Sequence, residues 1–475
     1  MNRNYRRAAP GLITPSPAAA AVLRAIGTIG GRPIIVGGAV RDALWARRNG
    51  EDRAPKDIDI EVYGVQNKER LIKALSLVGA VDERGVSFGV IAVRVDGEDF
   101  DVTLPRTESP TAPGHRGFEV TIAPELDEAI AFGRRDFTIN AMGYDPIAQE
   151  LVDPYSGRLD LDHSILRHTT HAFSEDPLRV LRGMQLAGRF ELTIAPETAA
   201  LCRELIPRFH DIARERVWGE WWKLLQRGAH ISHALQVLVD SGWITHFPPL
   251  AATIGVPQDP RWHPEGDVFT HLGLAADAAA AACERDGWES IDREIAVLGA
   301  LVHDLGKVTH TQASPDGRIT SRGHAGAGVA PAGEFLADIG APGYLLERIA
   351  PLVAEHMCHT AAPDGPSRAA VRRLMRRLAP ATIIEWAWVV DADCAGRASG
   401  TKPSPAAAWL TIASDIGTAP AKGILTGHHL IAAGMTPGPE FKAILAAALS
   451  AQDDGEFVDE AGALRWFADR ALAAG

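Results

Sequence analysis

Cysteine is scarce: Cys202, Cys283, Cys358 and Cys394 are the only four in 475 residues, and none has paired spacing. That excludes a disulfide framework and a zinc ribbon, and it suits a reducing cytoplasm. No run of eighteen apolar residues occurs, and Met1 to Arg7 leads into Ala/Pro-rich sequence without an apolar signal core. The expectation is a chain neither exported nor membrane-spanning. Positive charge is in deficit, with a formal net charge of -12, so any contact with nucleic acid must come from local basic patches rather than global attraction. Internal repeats and low-complexity tracts are absent as well. What is present is an ordinary folding composition, 46% hydrophobic and 23% charged, spread over more chain than one core serves. Several modules are expected.

The first third carries β signals. Pro15 to Ile29 has helical period, Pro33 to Val36 is a short buried strand, and Ala39 to Arg48 is a helix opened by Gly37-Gly38. Further strands are predicted at Ile58–Tyr63, Val90–Val95 and Phe100–Leu104, the last two joined by the turn Asp96-Gly97. After about Leu166 the β pattern gives way to Ala-, Leu- and Arg-rich helical stretches, broken at Gly228, Gly255–Asp259, Asp316-Gly317, Pro363–Pro366 and Pro437-Gly438-Pro439. The fold class is therefore α+β, a small mixed sheet with helices followed by all-α regions.

Three groups of residues carry chemistry. Asp57-Ile58-Asp59 places two carboxylates on one strand face, where they can share divalent cations, because side chains alternate along a strand. Sixty acids make such steps common by chance, but apolar Ile58, Ile60 and Val62 alternate with this one, and Pro55-Lys56 precede it. Asp101, on the later hairpin strand, is a candidate third carboxylate, or an exposed strand residue. Gly37-Gly38 lets backbone N–H groups approach phosphate oxygens at a helix N-terminus, and Arg41, one turn on, can add a charged contact or pair with Asp42. The P-loop lysine is missing, which excludes a Walker site. Asp176 and Arg179, three apart on a predicted helix, set an acceptor beside a donor. Cytosine and adenine present an amino donor next to a ring-nitrogen acceptor, so such a pair accepts C and A and rejects G and U. The structural alternative is a helix cap with an intrahelical ion pair.

In this order the motifs resemble the tRNA nucleotidyltransferases, the CCA-adding enzymes and bacterial poly(A) polymerases of the polymerase beta-type superfamily, second class. Gly37–Asp42 with Asp57–Asp59 is similar to the family's first motif. Arg134-Arg135-Asp136-Phe137-Thr138-Ile139-Asn140 is similar to its ribose-recognising second, Asp153–Gly157 to the connecting turn, and Glu175–Arg182 to the base-selecting helix. Glu215-Arg216-Val217 through Glu220 and Lys223 is similar to the supporting helix behind it. The resemblance implies catalytic Asp57 and Asp59 holding Mg²⁺. It implies nucleotide contacts from Gly37, Gly38, Arg41, Arg135, Asp136, Asn140, Asp176, Arg179 and Arg182, and RNA contacts from Arg216 and Lys223. The implied activity is addition of C, C and A from CTP and ATP to the tRNA 3′ end. Leu104–Val120, with Arg106, lies where the family keeps a flexible loop used in adding the terminal A, and it departs from the usual basic-then-acidic pattern. A CC-adding enzyme and a poly(A) polymerase are the alternatives; the latter usually carries a basic tail, and this tail is acidic.

Trp262-His263-Pro264-Glu265-Gly266-Asp267, His271 and His303-Asp304-Leu305-Gly306-Lys307 resemble an HD phosphohydrolase domain. Imidazole and carboxylate suit a divalent metal, and the resemblance assigns His271, His303, Asp304 and Asp393 as ligands, with His324 and His356 able to add a second ion. The implied chemistry is hydrolysis of 2′,3′-cyclic and 2′-phosphate ends, and a third reading makes this the chain's main activity. Arg372, Arg373, Arg376 and Arg377 share one helical face that could follow a tRNA backbone or form an ion-pair network. The expected divisions are a lead-in at 1–30, the head at 31–165, a helical neck at 166–250, the HD domain at 251–400 and a C-terminal helical segment at 401–475.

Overall fold

The computed structural model describes residues 5–51, 57–82, 90–110, 118–397 and 403–474. Two compact units emerge, one formed by residues 1–212 with 237–242, the other by 213–236 with 243–475. The predicted neck contributes to both.

The first unit is built on a mixed sheet. Its strands are Arg6–Ala8 (β1), Arg32–Val36 (β2), Ile58–Tyr63 (β3), Ala80–Asp82 (β4), Val90–Val95 (β5) and Glu98–Thr103 (β6). A separate hairpin, Arg106–Pro110 (β7) and Phe118–Ile122 (β8), follows, and Gly143–Asp145 (β9) and Glu150–Val152 (β10) return to the sheet. The eight-stranded order is β1-β10-β9-β2-β3-β6-β5-β4. The four strands predicted in this region all form, close to their expected bounds. Strands β1, β4, β9 and β10 were not foreseen: each is three residues long, too short for alternation to show, and β1 is held by pairing Arg6 with Val152 across most of the unit. Where a loop was expected at 104–120, the described residues instead form the two arms of the β7–β8 ladder; residues 111–117, which include Pro113, Gly114, His115 and Arg116, lie outside the described residues.

Helix Pro17–Thr28 packs Val22, Leu23 and Ile26 against the sheet's apolar face, where Ile60, Val62, Val93 and Val102 are buried. The opposite face carries the acidic row of strand β3 and beside it a smaller apolar cluster that includes Ile34, Val36, Tyr63 and Phe132. Two short departures from all-helical structure follow the head, the parallel pair Ile165–Leu166 with Thr193–Ile194 and the antiparallel pair Gln312–Ala313 with Ile319–Thr320.

The second unit is helical. Helices Val268–Asp286, Ser290–Val302, Gly343–Glu355 and Ile383–Ala395 pack together, and on the neighbouring helix Arg214–Arg227 Trp221 meets Phe247 and Phe335 edge-on at ring centroid distances of 5.2 and 5.3 Å. Among the described residues no helix is long and apolar enough to cross a membrane.

Candidate functional site

Register explains how the head collects its carboxylates. Strands β3 and β6 run parallel with Asp59 opposite Asp101, so the two side chains leave the same face of the sheet, and Asp57, two residues back, leaves it too. Antiparallel pairing of Val36 with Asp59 brings the end of β2, and thus the glycine loop, alongside. Burial raises the Asp59 pKa above its ordinary value, with the neighbouring Asp101 and Asp57 charges adding to the rise and Arg135 opposing it. The three acids are not drawn into a tight cluster: among the described residues, groups of metal-ligating atoms lying within 4.8 Å of one another occur only in the helical unit. Glu61 extends the row. It is buried under the polar face, accepts the Tyr63 hydroxyl at 3.2 Å and lies 3.9 Å from Arg135. The same two-residue period that marked Asp57 and Asp59 could have found it.

Gly37 is required by geometry. Its φ is 75°, and a Cβ there would come 2.6 Å from Arg135 Nη1, so the absent side chain is what lets the second motif's arginine sit against the first motif's loop. Gly38 then opens the helix Gly38–Asn49. Arg41 pairs with Asp42 as the sequence allowed, yet it is buried, donates to Asn140 Oδ1 at 2.5 Å and stacks over Phe190 at 4.6 Å. Its guanidinium is thereby spent on holding Asn140. Asn140 donates in turn to Asp136 Oδ1 at 2.9 Å, and Arg182 Nε donates to Asp136 Oδ2 at 2.8 Å. Burial would raise the Asp136 pKa, but the Arg182 charge and these hydrogen bonds overcome it and hold the carboxyl at about 2.

Asp176 and Arg179 come together differently from the prediction. The helix runs Arg179–Phe190, and Asp176 precedes it in extended conformation. The Asp176 Oδ1 accepts the Leu178 N–H at 3.0 Å, so this carboxylate starts the helix rather than riding on it. Pro177 explains the offset, since a proline disfavours helical backbone in the residue before it. Arg179 donates to the carbonyls of Ala172 and Arg134 at 2.7 and 2.9 Å, which ties the start of this helix to the second motif. Arg106 lies at the base of the β7–β8 hairpin.

Outside the head, Lys223 donates to buried Glu220 at 2.8 Å, and Arg216 lies on the same helix, Arg214–Arg227. The four-arginine face is engaged by protein. Arg376 makes a two-pronged pair with buried Asp453, Arg372 donates to the carbonyls of Gln452 and Asp453, Arg373 pairs with Asp454 and Arg377 with Glu355. Of the two sequence readings, the ion-pair network is the one the geometry supplies.

The helical unit gathers its ligand candidates at helix ends. His271 stands in the first turn of Val268–Asp286, His303 and His356 end Ser290–Val302 and Gly343–Glu355, and Asp393 lies on Ile383–Ala395. Gly306 lets the His324 segment close in, since a Cβ there would lie 2.1 Å from the His324 carbonyl oxygen. His303, His324 and His356 each point Nδ1 at a backbone carbonyl, of Ala300, Ser321 and Val353, at 2.6 to 2.8 Å. A carbonyl only accepts, so Nδ1 carries the proton and Nε2 keeps its lone pair. His271 does the same through Glu265 at 2.8 Å. The Nε2 atoms then face carboxylates: His271 to Asp393 at 3.1 Å, His303 to Asp304 at 3.3 Å, His324 to Asp304 at 2.9 Å. Acceptors aimed at acceptors, with His271 Nε2, His303 Nε2 and Asp304 Oδ1 buried and without hydrogen-bond partners, are the donor set of a divalent cation. All six predicted ligand candidates, His271, His303, Asp304, Asp393, His324 and His356, are brought together. The carboxyls of Asp304 and Asp393 are held well below the ordinary carboxylate range, where Lys307, Arg397 and the histidines outweigh burial. Sequence reasoning gave Lys307, Arg397 and Gln258 no role. Lys307 Nζ lies 2.5 Å from Asp304 and 2.7 Å from Gln258, and Arg397 forks onto Asp393; only the spacing from Asp304 to Lys307 and from Asp393 to Arg397, one helical turn, hinted at it.

Three families match in chain order: the Poly A polymerase head domain over residues 34–167, the probable RNA and SrmB-binding site of polymerase A over 191–254, and the HD domain over 268–392. Among curated relatives, a multifunctional CCA protein of Paracidovorax citrulli is 38% identical over 283 residues, 58% of this chain, and the match spans 62% of that relative's length. One from Methylococcus capsulatus is 33% identical over 393 residues, 80% of this chain and 85% of the relative. Solved structures share the fold: a Bacillus stearothermophilus CCA-adding enzyme in complex with CTP (TM-score 0.61, 20% identity, 97% of this chain and 99% of that one) and a Thermotoga maritima CCA-adding enzyme complexed with tRNA_CCA (0.59, 18%, 98% and 100%). With the head's carboxylates, the neck and the histidine cluster all in family order, the chain belongs to the multifunctional CCA proteins.

Proposed function

We propose that the chain is a template-independent nucleotidyltransferase that adds C, C and A from CTP and ATP to the 3′ end of tRNA. The observation that carries this reading is the pairing of Asp59 with Asp101 beside the Gly37 loop. Asp57, Asp59 and Asp101 would hold Mg²⁺, which when bound lowers the pKa of an RNA 3′-hydroxyl and neutralises charge on the phosphates. The Gly38 N–H group and the helix start favour the triphosphate, while the Gly37 N–H is donated to the Met142 carbonyl at 3.0 Å and fixes the loop. Arg135 flanks that position, and the Asp136–Asn140 pair offers its remaining capacity to the ribose. Asp176 and Arg179 read the base: a guanidinium has five N–H donors, so the two given to carbonyls leave others for a ring nitrogen. The relatives' names and the CTP and tRNA_CCA complexes of the structural neighbours support the same reading.

The histidine cluster supports a second activity, metal-dependent hydrolysis of 2′,3′-cyclic and 2′-phosphate ends. The specific observation is the set of buried ring nitrogens without partners. His271, His303, Asp304 and Asp393 would hold a divalent metal, with His324 and His356 beside them.

The test incubates the protein and Mg²⁺ with tRNAs ending before C74, C75 and A76, with each labelled NTP in turn, alongside Asp59→Ala. Incorporation confined to C, C and A, and lost in the variant, is the expected result. Addition of C alone would make it a CC-adding enzyme, and unlimited A a poly(A) polymerase.

A further inference from the structure

Glu265 belongs to neither the head chemistry nor the ligand set, yet its carboxylate is almost fully buried, at 1% exposure. Burying a carboxylate is costly unless donors compensate it. Here one oxygen, Oε1, takes two ring protons, from His263 Nδ1 and from His271 Nδ1, each at 2.8 Å. The two rings meet edge-on with centroids 4.6 Å apart. This fixes how His271 is presented. With Nδ1 bound to Glu265, the ring can offer only Nε2 to the centre, and the plane of the ring is set by the carboxylate. The segment that carries Glu265 is itself anchored. Gln258 donates to the carbonyls of Gly266 and Asp267 at 3.3 and 3.1 Å and accepts Lys307 Nζ, which reaches Asp304. Asp267 accepts the Gly255 and Thr270 N–H groups at 2.6 and 2.9 Å.

The geometry points to Glu265 as a positioning residue that fixes the tautomer and orientation of His271 for metal binding, with His263 as the second donor that pins its carboxylate. The inference rests on the reading of the histidine cluster as a metal centre. His303, His324 and His356 are oriented by backbone carbonyls, which substitution cannot remove; His271 is the ligand whose orientation depends on a side chain. A charged partner also makes the imidazole a stronger donor to a cation than a carbonyl partner does.

The experiment titrates the full chain with Co²⁺ in an Asp59→Asn background, which weakens cation binding at the head. Affinity and the visible Co²⁺ spectrum are read together with the thermal midpoint of the metal-free protein. Glu265→Gln, which keeps the size and one acceptor oxygen, is expected to bind Co²⁺ about tenfold more weakly with an altered spectrum, and Glu265→Ala up to about a hundredfold more weakly. Because the buried carboxylate takes both ring protons, the metal-free midpoint of Glu265→Gln is expected to fall, and affinities are compared at a temperature where parent and variants are all folded. Unaltered Co²⁺ affinity and spectrum in both variants, with Co²⁺ still bound by the parent, would overturn the role of Glu265 alone. A parent that takes up no Co²⁺ would overturn the metal centre and this role with it.

Discussion

At the scale of single residues, the head site is organised by carboxylates in opposite electrostatic situations. Asp59 is raised by burial, with the like charges of Asp101 and Asp57 adding and Arg135 opposing, whereas Asp136 is buried among donors and held at about 2. Because the folded value of Asp136 lies below its ordinary 3.8, its ionised form stabilises the head. That contribution is complete above about pH 4 and is lost as pH falls through 2, amounting to roughly 2 kcal/mol. Asp136→Asn should therefore lower the thermal midpoint at pH 7, and the gap between variant and parent should close as the pH approaches 2. A gap that stays constant from pH 7 to pH 2 would rule out this account of Asp136. The local motifs at this scale were legible in the sequence, since a glycine pair, an acid-x-acid step and a His-Asp step each reach their neighbours within a turn or a strand. Asn140 on Arg41 was not, because the fold brings together segments far apart in the chain; Glu265 on His271 was not, because a turn and a helix start separate them and neither strand nor helical period relates the two.

At the scale of elements, the most instructive departure is the start of the helix Arg179–Phe190. A spacing of three suggested one helical face for Asp176 and Arg179; in the structure Asp176 precedes the helix that Arg179 begins, and its carboxylate holds the N–H of Leu178 in the turn that leads into it. One carboxylate thus serves helix stability and, in the proposed function, base selection. The roles separate by substitution. Asparagine caps a helix about as well as aspartate, whereas alanine costs about 1 kcal/mol. Asp176→Asn should melt close to the parent and Asp176→Ala below it, while both should lose discrimination for CTP and ATP over GTP and UTP in single-nucleotide addition. Full discrimination in Asp176→Asn would confine the residue to holding that turn. The arginine helix Arg368–Leu378 teaches a related lesson. Its basic face was legible as a face, but its partners on 453–454 and at Glu355 lie beyond any periodicity argument.

At the scale of the whole molecule, fold class was readable because long β-branched alternation ends near Leu166 and helical period takes over. The three-residue strands were not, since their stability comes from partners far along the chain. The two units divide the chemistry between them: every carboxylate of the head site comes from the first unit, and every ligand candidate of the histidine cluster from the second. Each site is completed by its own core, so the two proposed activities should be separable by mutation. His303→Gln is the informative change, because Asp304→Asn would leave the buried Lys307 ammonium without its closest carboxylate and risk the fold. His303→Gln should abolish 2′,3′-cyclic phosphate hydrolysis and weaken metal uptake, yet leave CCA addition within about twofold of the parent. Asp59→Ala should do the reverse. Both are measured on one protein preparation, with a cyclic nucleotide and a truncated tRNA as the two substrates. Loss of CCA addition in His303→Gln, with the thermal midpoint unchanged, would show that the centres are coupled and that the division into units does not extend to function.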